Sequence, residues 1–212
     1  MKKTITMMIS LMMLAVLAMA QAKDERLAKI EQELKGDVPR ILCLNENFAT
    51  AGQPSDAAFA KLASNGFKSV LNLRTDAEGI DLAHEREMIE KAGLRYINIP
   101  IARGPFKEDQ VKEFITTVKD KKNQPMLIHC GSANRVGAFW MVYLALDQGL
   151  AEDKALEEAT RIGLTNPDLK KAAQDYIAAH KQVANDRSER AEAQGDVARL
   201  RLRSRGFQRR NG

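Results

Sequence analysis

The residues of this chain best suited to chemistry are a cysteine and an arginine on one short loop. Cys130 follows the apolar run Met126–His129, which has the composition of a buried strand, and Arg135 precedes an apolar segment, 136–146, typical of a buried helix. A loop between such a strand and helix aims its N–H groups at its own centre, which favours a thiolate and a bound oxyanion. Arg135 adds a planar charged fork that fits two oxygens of a phosphate. The pattern predicts a cysteine nucleophile inside an anion-binding loop.

The four residues between Cys130 and Arg135 are small or turn-forming, so a short loop can close around an anion. Gly137, just after the loop, is expected to let the helix begin close to the sheet. The competing interpretation is that Cys130 is only a small buried hydrophobe, as free cysteines usually are. The small loop residues and Arg135, which follow Cys130, favour the catalytic or anion-binding interpretation. The predicted anion-binding residues are Gly131, Ser132, Ala133, Asn134 and Arg135.

Cys43 is the second of the two cysteines. In an exported protein two cysteines often form a disulfide, and a bridge to Cys130 would consume the proposed nucleophile. A permanent bridge, a reversible bridge that switches the thiol off and two free thiols all remain open at this point.

The N-terminus carries the pattern of an export signal. Two lysines precede an apolar run from 5 to 18, and the small residues Ala18 and Ala20 mark a signal-peptidase site. We therefore predict a signal peptide at 1–20 and a periplasmic or secreted bacterial protein. The run is too short for a comfortable transmembrane helix, although an uncleaved signal would act as a short membrane anchor.

Strand and helix patterns alternate along the rest of the chain, which predicts an α/β fold with a central, mainly parallel sheet flanked by helices. A helical extension at 21–37 is expected to dock its helix, 23–34, outside the core, and one domain spans 38–181. Segment 45–54 is rich in turn residues and is expected to be a loop. The predicted strands are 40–44, 67–73, 94–100 and 125–129, and the predicted helices are 55–65, 81–91, 107–119, 136–148, 151–162 and 166–181.

Charge is distributed unevenly. The chain has 33 Lys and Arg residues against 28 Asp and Glu residues, a net charge of +5. Nine basic and four acidic residues from Lys181 onward account for that whole excess, and all of these residues except Lys181 belong to the segment 182–212. This tail is predicted to be solvated and disordered; attachment to an anionic membrane or another polyanion is the alternative. No nucleic-acid partner is expected.

The Cys130 to Arg135 loop resembles that of the cysteine-dependent phosphatases of the tyrosine and dual-specificity type. Three more segments, Ala51–Ser55, Asn65–Arg74 and Gly93–Pro100, occur in the order found in a small bacterial family, the beta-lactamase-hydrolase-like phosphatase domains. The resemblance covers residues 45–150 and implies a tyrosine/dual-specificity phosphatase-like fold.

The resemblance also implies a phosphoric monoester hydrolase that needs no metal or organic cofactor and acts on a phosphorylated substrate of unspecified class. Cys130 would attack phosphorus and form a cysteinyl-phosphate, while Arg135 and the loop amides would hold the phosphoryl oxygens. His129 would orient the loop and help keep the thiolate ionised; the alternative is a satisfied core histidine. Arg74 is either a substrate contact at the mouth of the site or a surface residue paired with a nearby carboxylate, Asp76 or Glu78.

The chain departs from the phosphatase pattern at several positions. Four residues separate Cys130 from Arg135, one fewer than in the familiar phosphatases, a shortening that the bacterial family shares. Ala133 stands where that family usually has glycine, which would ease a positive-φ turn. Val136 replaces a hydroxyl residue that assists breakdown of the intermediate, and Ser132 is a candidate to supply that hydroxyl.

The region before the nucleophile lacks the aspartic acid that protonates the leaving group in such phosphatases. Glu108 and Asp109 are the nearest candidates, but at a helix start such residues commonly compensate the helix dipole. Without an acid, only activated or acidic leaving groups would depart readily.

Two other functions fit the loop. A Cys-x4-Arg loop also resembles that of the rhodaneses, sulfurtransferases in which Cys130 would carry a persulfide and no general acid is needed. The third possibility is a non-catalytic module that binds anions without turnover.

Overall fold

The computed structural model describes residues 2–102 and 104–183, with side chains from residue 18 onward, and shows one five-stranded sheet between helices. The strands are β1 (Leu42–Asn45), β2 (Phe48–Ala51), β3 (Ser69–Asn72), β4 (Arg95–Asn98) and β5 (Met126–His129). The helices are α1 (Lys2–Leu34), α2 (Asp56–Ser64), α3 (Leu82–Lys91), α4 (Glu108–Lys119), α5 (Asn134–Val142), α6 (Glu152–Ile162) and α7, helical from 167 to 183.

The sheet order is β1-β2-β5-β3-β4, and every neighbouring pair is parallel except β1 with β2. The predicted mainly parallel sheet flanked by helices is thus confirmed. β5 lies at the centre and is buried at every position, as expected for a parallel strand covered on both faces. The register places His129 beside Ala51 of β2 and Asn72 of β3. The segments that follow these three strands therefore meet at one edge of the sheet.

The expectation of a loop at 45–54 is wrong at its centre, where β2 forms. All four β2 residues are buried, and three of them are Ala or Thr, small enough to fit between the layers. The strand is too short and too poor in large apolar residues to show a strand pattern in the sequence. The predicted turn is present just before it, where the Asn47 N–H donates to Asn45 Oδ1 at 2.8 Å.

Each face of the sheet carries its own apolar core. On one face Leu71 and Ile128 lie in a core with Phe114 of α4 and Phe139 of α5. On the other face Val70 and Leu127 lie in a core with residues of α1, α2 and α3, among them Leu34, Phe59 and Ile89. Successive strand residues thus point to opposite faces, and both faces are covered.

The expected docking of the N-terminal helix outside the core is wrong. The predicted helix 23–34 is the end of the longer helix α1, and its residues Ile30 and Leu34 are only 7% and 0% exposed. Their apolar side chains complete the second core beside Phe59. Within the described range, no helix combines the length and apolarity needed to cross a bilayer. The signal peptide at 1–20 stays a prediction.

α5, predicted at 136–148, begins at Asn134 and continues as a π-helical turn over Tyr143–Asp147. Gly137 serves the contact with α6 and not, as expected, the contact with the sheet. A Cβ at Gly137 would lie 2.7 Å from the carbonyl oxygen of Ala159 and 3.0 Å from Leu164 Cβ. Of the predicted tail, residues 184–212 lie outside the described residues.

Candidate active site

The loop after β5 presents unpaired backbone donors. Cys130 is 1% exposed, and its N–H donates to the carbonyl oxygen of Ala51 at 3.4 Å. In the described part of the chain, the N–H groups of residues 131–135 have no backbone acceptor. Those of Asn134 and Arg135 belong to the first turn of α5, which leaves its N–H groups without intrahelical partners. The loop therefore has the donors that bind an oxyanion next to a thiol.

Ala133 adopts the left-handed conformation that the loop requires, with φ +66° and ψ −6°. This conformation costs an L-residue about 1 kcal/mol. The methyl group fits because it faces Gly163, where a Cβ would lie 3.2 Å from that of Ala133. Alanine at position 133 therefore does not prevent the turn. Its close neighbour, residue 163, has to be glycine instead.

Arg135 is fixed by acceptors on three sides. Its Nη1 donates to the carbonyl oxygens of Leu73 (3.1 Å) and Ile101 (2.9 Å), which follow β3 and β4. Both terminal nitrogens also donate to Glu78, Nη1 to Oε1 at 2.5 Å and Nη2 to Oε2 at 2.6 Å. Burial would lower the pKa of Arg135, but Glu78 and the nearby Cys130 sulfur together raise it. The guanidinium is therefore held beside the sulfur in one orientation.

Glu78 holds two arginines at once. Besides Arg135, its Oε2 accepts from Arg74 Nε at 3.0 Å, and its Oε1 accepts from the Thr75 N–H at 2.9 Å. Burial alone would raise the pKa of Glu78, but the bonds from Arg135, Thr75 and Arg74 outweigh it and lower the pKa to about 2. The carboxylate is therefore ionised at any physiological pH.

The first half of the loop rests on the segment after β2. Gly52 forms a β-bridge with Ser132, and a Cβ on Gly52 would lie 3.2 Å from the carbonyl oxygen of Gly131. The Gln53 N–H donates to that same oxygen at 3.4 Å. Arg40, N-terminal to β1, directs Nη1 to the carbonyl oxygen of Ser132 at 3.5 Å. These contacts turn the loop carbonyls outward, so its N–H groups face the centre.

A buried polar cluster lies below the loop around Glu85 of α3, which is 4% exposed. Gln53 Nε2 donates to Glu85 Oε1 at 2.5 Å, and Asn72 Nδ2 donates to Oε2. Burial raises the pKa of Glu85 in spite of these donors. Gln53 also accepts from Arg74 Nη1 at 2.9 Å through its own Oε1, so one side chain joins the buried carboxyl group to the arginines of the site.

His129 is fully buried beside this cluster, with Nε2 3.6 Å from Glu85 Oε1. Among the described residues neither ring nitrogen has a hydrogen-bond partner at ordinary distance. Burial, assisted by the charges of Arg74 and Arg135, lowers the pKa of His129 to about 3, although a backbone contact with Cys130 acts to raise it. The ring is neutral at pH 7. It could therefore support a thiolate at Cys130 only through an N–H, not through a positive charge.

A cleft of about 650 Å³ opens above the loop. The predicted anion-binding residues reach it, except the buried Ala133. Glu78 is the one carboxylate among the lining residues that the structure describes. The cleft is lined by Thr75, Ala77, Glu78, Ile101, Ala102, Gly131, Ser132, Asn134, Arg135, Asn166 and Leu169.

Five other predicted site residues do not line the cleft: the buried Cys130 and His129, which lie beneath the loop, and Arg74, Glu108 and Asp109. Arg74 pairs with Glu78, which is the surface ion pair predicted as the alternative role of Arg74. The Arg74 side chain still lies close to the loop, because a Cβ on Gly131 would be 3.9 Å from Arg74 Nε. Asp109 Oδ1 accepts from the Gln110 N–H in the first turn of α4, which is the role expected of an acid at a helix start. The structure therefore brings neither proposed general acid to the loop.

Cys43 and Cys130 are both free thiols. They lie on opposite faces of the sheet, Cys43 in the core with Leu127 and Cys130 in the core with Ile128. Because a disulfide needs Cα atoms within about 7 Å and converging Cβ vectors, the sheet would have to open before the two could join. Of the three options, a permanent bridge, a reversible bridge and two free thiols, this fold accommodates the last.

Sequence reasoning missed the positioning roles of Gln53 and Glu85, and it named Glu78 only as a possible partner of Arg74. Gln53 stands beside a glycine and a proline in a segment quoted only for its resemblance, and the two glutamates sit in polar stretches that read as solvated surface. The one available signal was the place of Gln53 and Glu78 just beyond the carboxyl ends of strands, where functional groups of parallel sheets gather. Within the described residues, no group of three or more His, Cys, Asp or Glu side chains is arranged to bind a metal ion.

A central parallel sheet with a Cys-x4-Arg loop at its carboxyl edge defines a cysteine-dependent phosphatase-like domain. A model of the family described as DSP-PTPase phosphatase fused to NAD+ kinase matches residues 30–191. The chain belongs to this family. Membership confirms the predicted phosphatase-like family.

Known proteins agree with this placement. A beta-lactamase hydrolase-like protein of Xylella fastidiosa (strain 9a5c) is 28% identical over 120 residues, 54% of this chain and 27% of that protein. The chain thus spans about a quarter of the curated relatives that it matches. The core catalytic domain of the PP-IP phosphatase SIW14 from S. cerevisiae has a TM-score of 0.57 at 16% identity, covering 72% of this chain and 94% of that domain. P. aeruginosa TpbA in complex with pTyr has a TM-score of 0.53 at 21% identity, covering 65% and 82%. The two structures share the fold.

Proposed function

We propose that this protein hydrolyses phosphomonoesters through a cysteinyl-phosphate on Cys130. The observation that carries the proposal is the arrangement around the sulfur: the loop that begins at Cys130 carries N–H groups without close backbone acceptors, within residues 131–135, and the fixed guanidinium of Arg135. Such donors stabilise the three equatorial oxygens of a phosphoryl group during in-line transfer.

The reaction proceeds in two displacements. The Cys130 thiolate attacks phosphorus, an S–P bond forms, and the P–O ester bond breaks with its electron pair going to the leaving oxygen. Water then attacks the same phosphorus, the S–P bond breaks, and inorganic phosphate and the thiolate are released. Arg135 keeps the phosphoryl oxygens in place through both steps because Glu78 and two carbonyl groups hold its orientation.

The cleft favours substrates whose leaving group departs as an anion. Its one described carboxylate, Glu78, has a pKa lowered to about 2 and is committed to Arg135, so it has no proton to give at neutral pH. Departure without protonation is far easier for a phenol, with a pKa near 10 in tyrosine, than for an aliphatic alcohol. We therefore propose aryl phosphates as the preferred class, and the pTyr bound to the structurally similar TpbA supports this choice.

We propose the cellular location and the role of the tail from the sequence alone. The signal-like segment 1–20 supports a periplasmic or secreted location, where the substrate would be an extracytoplasmic phosphoester. The basic segment 182–212 is a candidate contact for anionic lipid. Fractionation of the expressing cell, with N-terminal sequencing of the product, tests the location; an intact Met1 in the cytoplasm would refute it.

Sulfur transfer is the second candidate, because a persulfide on Cys130 needs no general acid and the cleft offers none. The two are separated by following phosphate release from an aryl phosphate and thiocyanate formation from thiosulfate and cyanide on one preparation. Phosphate release that disappears in Cys130→Ser supports the phosphatase. Thiocyanate formation without phosphate release would replace it with the sulfurtransferase, and inactivity in both with retained phosphate binding would leave an anion-binding module.

A further inference from the structure

A second cavity adjoins the catalytic cleft. It has a volume of about 560 Å³ and lies between the loop that precedes α4 and the helix α7. Asn166 and Leu169 line both the cleft and this cavity, so the two adjoin and one extended ligand can occupy both. The volume lies in the range of small-molecule sites in proteins.

The walls of this cavity are apolar and anchored. Phe106, Leu169, Ala172 and Tyr176 contribute to its lining. The Phe106 ring packs against Phe139 of the core with ring centroids 4.4 Å apart, and it lies 6.3 Å from the Tyr176 ring. An aromatic wall fixed by core packing presents a preformed surface for a flat or apolar group.

The charges at the rim disfavour a second anion. Lys171 is bound to both carboxylate oxygens of Asp175, at 2.8 and 2.7 Å, so a carboxylate next to it offsets its charge. Asp168 also lines the cavity, and Glu108 lies near enough to act, after burial, on the pKa of Tyr176. The balance is negative, in contrast to the Cys130 loop next to it.

We propose that this cavity is a substrate subsite that holds an uncharged, apolar extension of the phosphoester whose phosphate lies on the Cys130 loop. The inference rests on the proposed phosphatase function and narrows its substrate class. The substrate carries one phosphate and a bulky neutral body, not a second phosphate or another anionic group. Continuity with the cleft, an aromatic wall and the negative rim all favour that occupant.

The test compares phenyl phosphate, which fills only the cleft, with 4-biphenyl phosphate, whose second ring reaches the cavity. For the purified full chain, kcat/KM is expected to be about tenfold higher for the biphenyl ester, and a 4′-carboxylate on that ring should remove the advantage. Ala172→Trp fills the cavity and should bring the ratio of the two kcat/KM values close to one. The control is Ala178→Trp, at an exposed position of the same helix, which should keep the wild-type ratio. Ala172→Leu repeats the test of the cavity with a smaller added side chain.

The outcomes distinguish a failure of the proposed subsite from a failure of the proposed phosphatase activity. Phenyl phosphate hydrolysis that depends on Cys130, with no preference for the biphenyl ester, overturns the subsite and leaves the phosphatase standing. A preference that survives both Ala172 substitutions, or a carboxylated or doubly phosphorylated biphenyl that reacts best, also overturns it and assigns the cavity to another occupant. Absence of hydrolysis of either ester removes the proposed function and the subsite together.

Discussion

Glu78 accepts one hydrogen bond from each terminal nitrogen of Arg135, at 2.5 and 2.6 Å, and thereby fixes the plane of the guanidinium beside Cys130. The carboxylate comes from a turn after β3, whereas the arginine lies in the first turn of α5. Two elements far apart in the chain therefore set one catalytic geometry. Because Glu78 also accepts from Arg74, the same residue orients two of the arginines next to the loop.

Replacement of Glu78 by glutamine is expected to lower kcat for an aryl phosphate on the order of 10- to 100-fold, because a misplaced arginine no longer tracks the phosphoryl oxygens. Inhibition by inorganic phosphate should not weaken, since the substitution removes a negative charge from the cleft. Steady-state kinetics with phosphate as inhibitor measures both effects. Asp76→Asn, an exposed carboxylate in the same turn, is the matched control, and unchanged kcat in Glu78→Gln would refute the positioning role.

His129 should make the folded state sensitive to mild acid. Its folded pKa, about 3, is lower than the usual value of 6.5, so below pH 6.5 the unfolded chain takes up a proton that the folded chain refuses. Stability is therefore lost as the pH falls from about 6.5 toward 3. Between pH 7 and pH 5 the loss from His129 amounts to about 2 kcal/mol.

Urea unfolding of the wild type and His129→Asn at pH 7 and pH 5 measures this contribution as a difference. Glu78 scarcely contributes in that window, because a lowered carboxylate pKa removes stability only below its unfolded value near 4.5. Glu85, whose pKa is raised by burial, acts in the opposite direction in both proteins. Equal pH dependence in the two proteins would show that His129 is not buried in the neutral form. His84→Gln is the comparison of opposite sign: Asp56 raises the pKa of the exposed His84, so this substitution should increase the loss of stability toward pH 5.

Gly137 is expected to tolerate no side chain. A methyl group there would overlap the Ala159 carbonyl, which belongs to the backbone of α6 and cannot move without displacing the helix. Gly137→Ala should destabilise the fold by about 1 to 3 kcal/mol, the usual range for overpacking, and lower the thermal midpoint. Gly36→Ala, where a Cβ would meet nothing within 4 Å, should leave the midpoint nearly unchanged. Equal midpoints for the two variants would contradict the close contact of α5 with α6.

The sequence sufficed for those parts of the molecule whose chemistry is contiguous. The loop from Cys130 to Arg135 lies within six consecutive residues, and the strands around it other than β2, with the amphipathic helices, follow from local periodicity. Gln53, Glu78 and Glu85 could not be assigned in this way because their roles arise only when the register of β2, β3 and β5 brings three chain segments to one edge. The burial of Ile30 and Leu34 was missed for a similar reason, since an amphipathic stripe does not reveal whether a domain or solvent covers it.

The position of the two cysteines predicts how the protein responds to oxidants. Cys43 lies in the core opposite to that of Cys130, and burial, followed by the charge of Glu31, raises its pKa to about 12, so it should remain an unreactive thiol in the folded state. Alkylation under denaturing conditions followed by mass measurement should find two free thiols in protein kept without reductant. Cys43→Ala should retain the activity and the same inactivation by peroxide as the wild type, because oxidation would act on Cys130 alone. A disulfide-linked peptide containing both cysteines, or loss of peroxide sensitivity in Cys43→Ala, would show instead that the sheet opens far enough for the two thiols to meet.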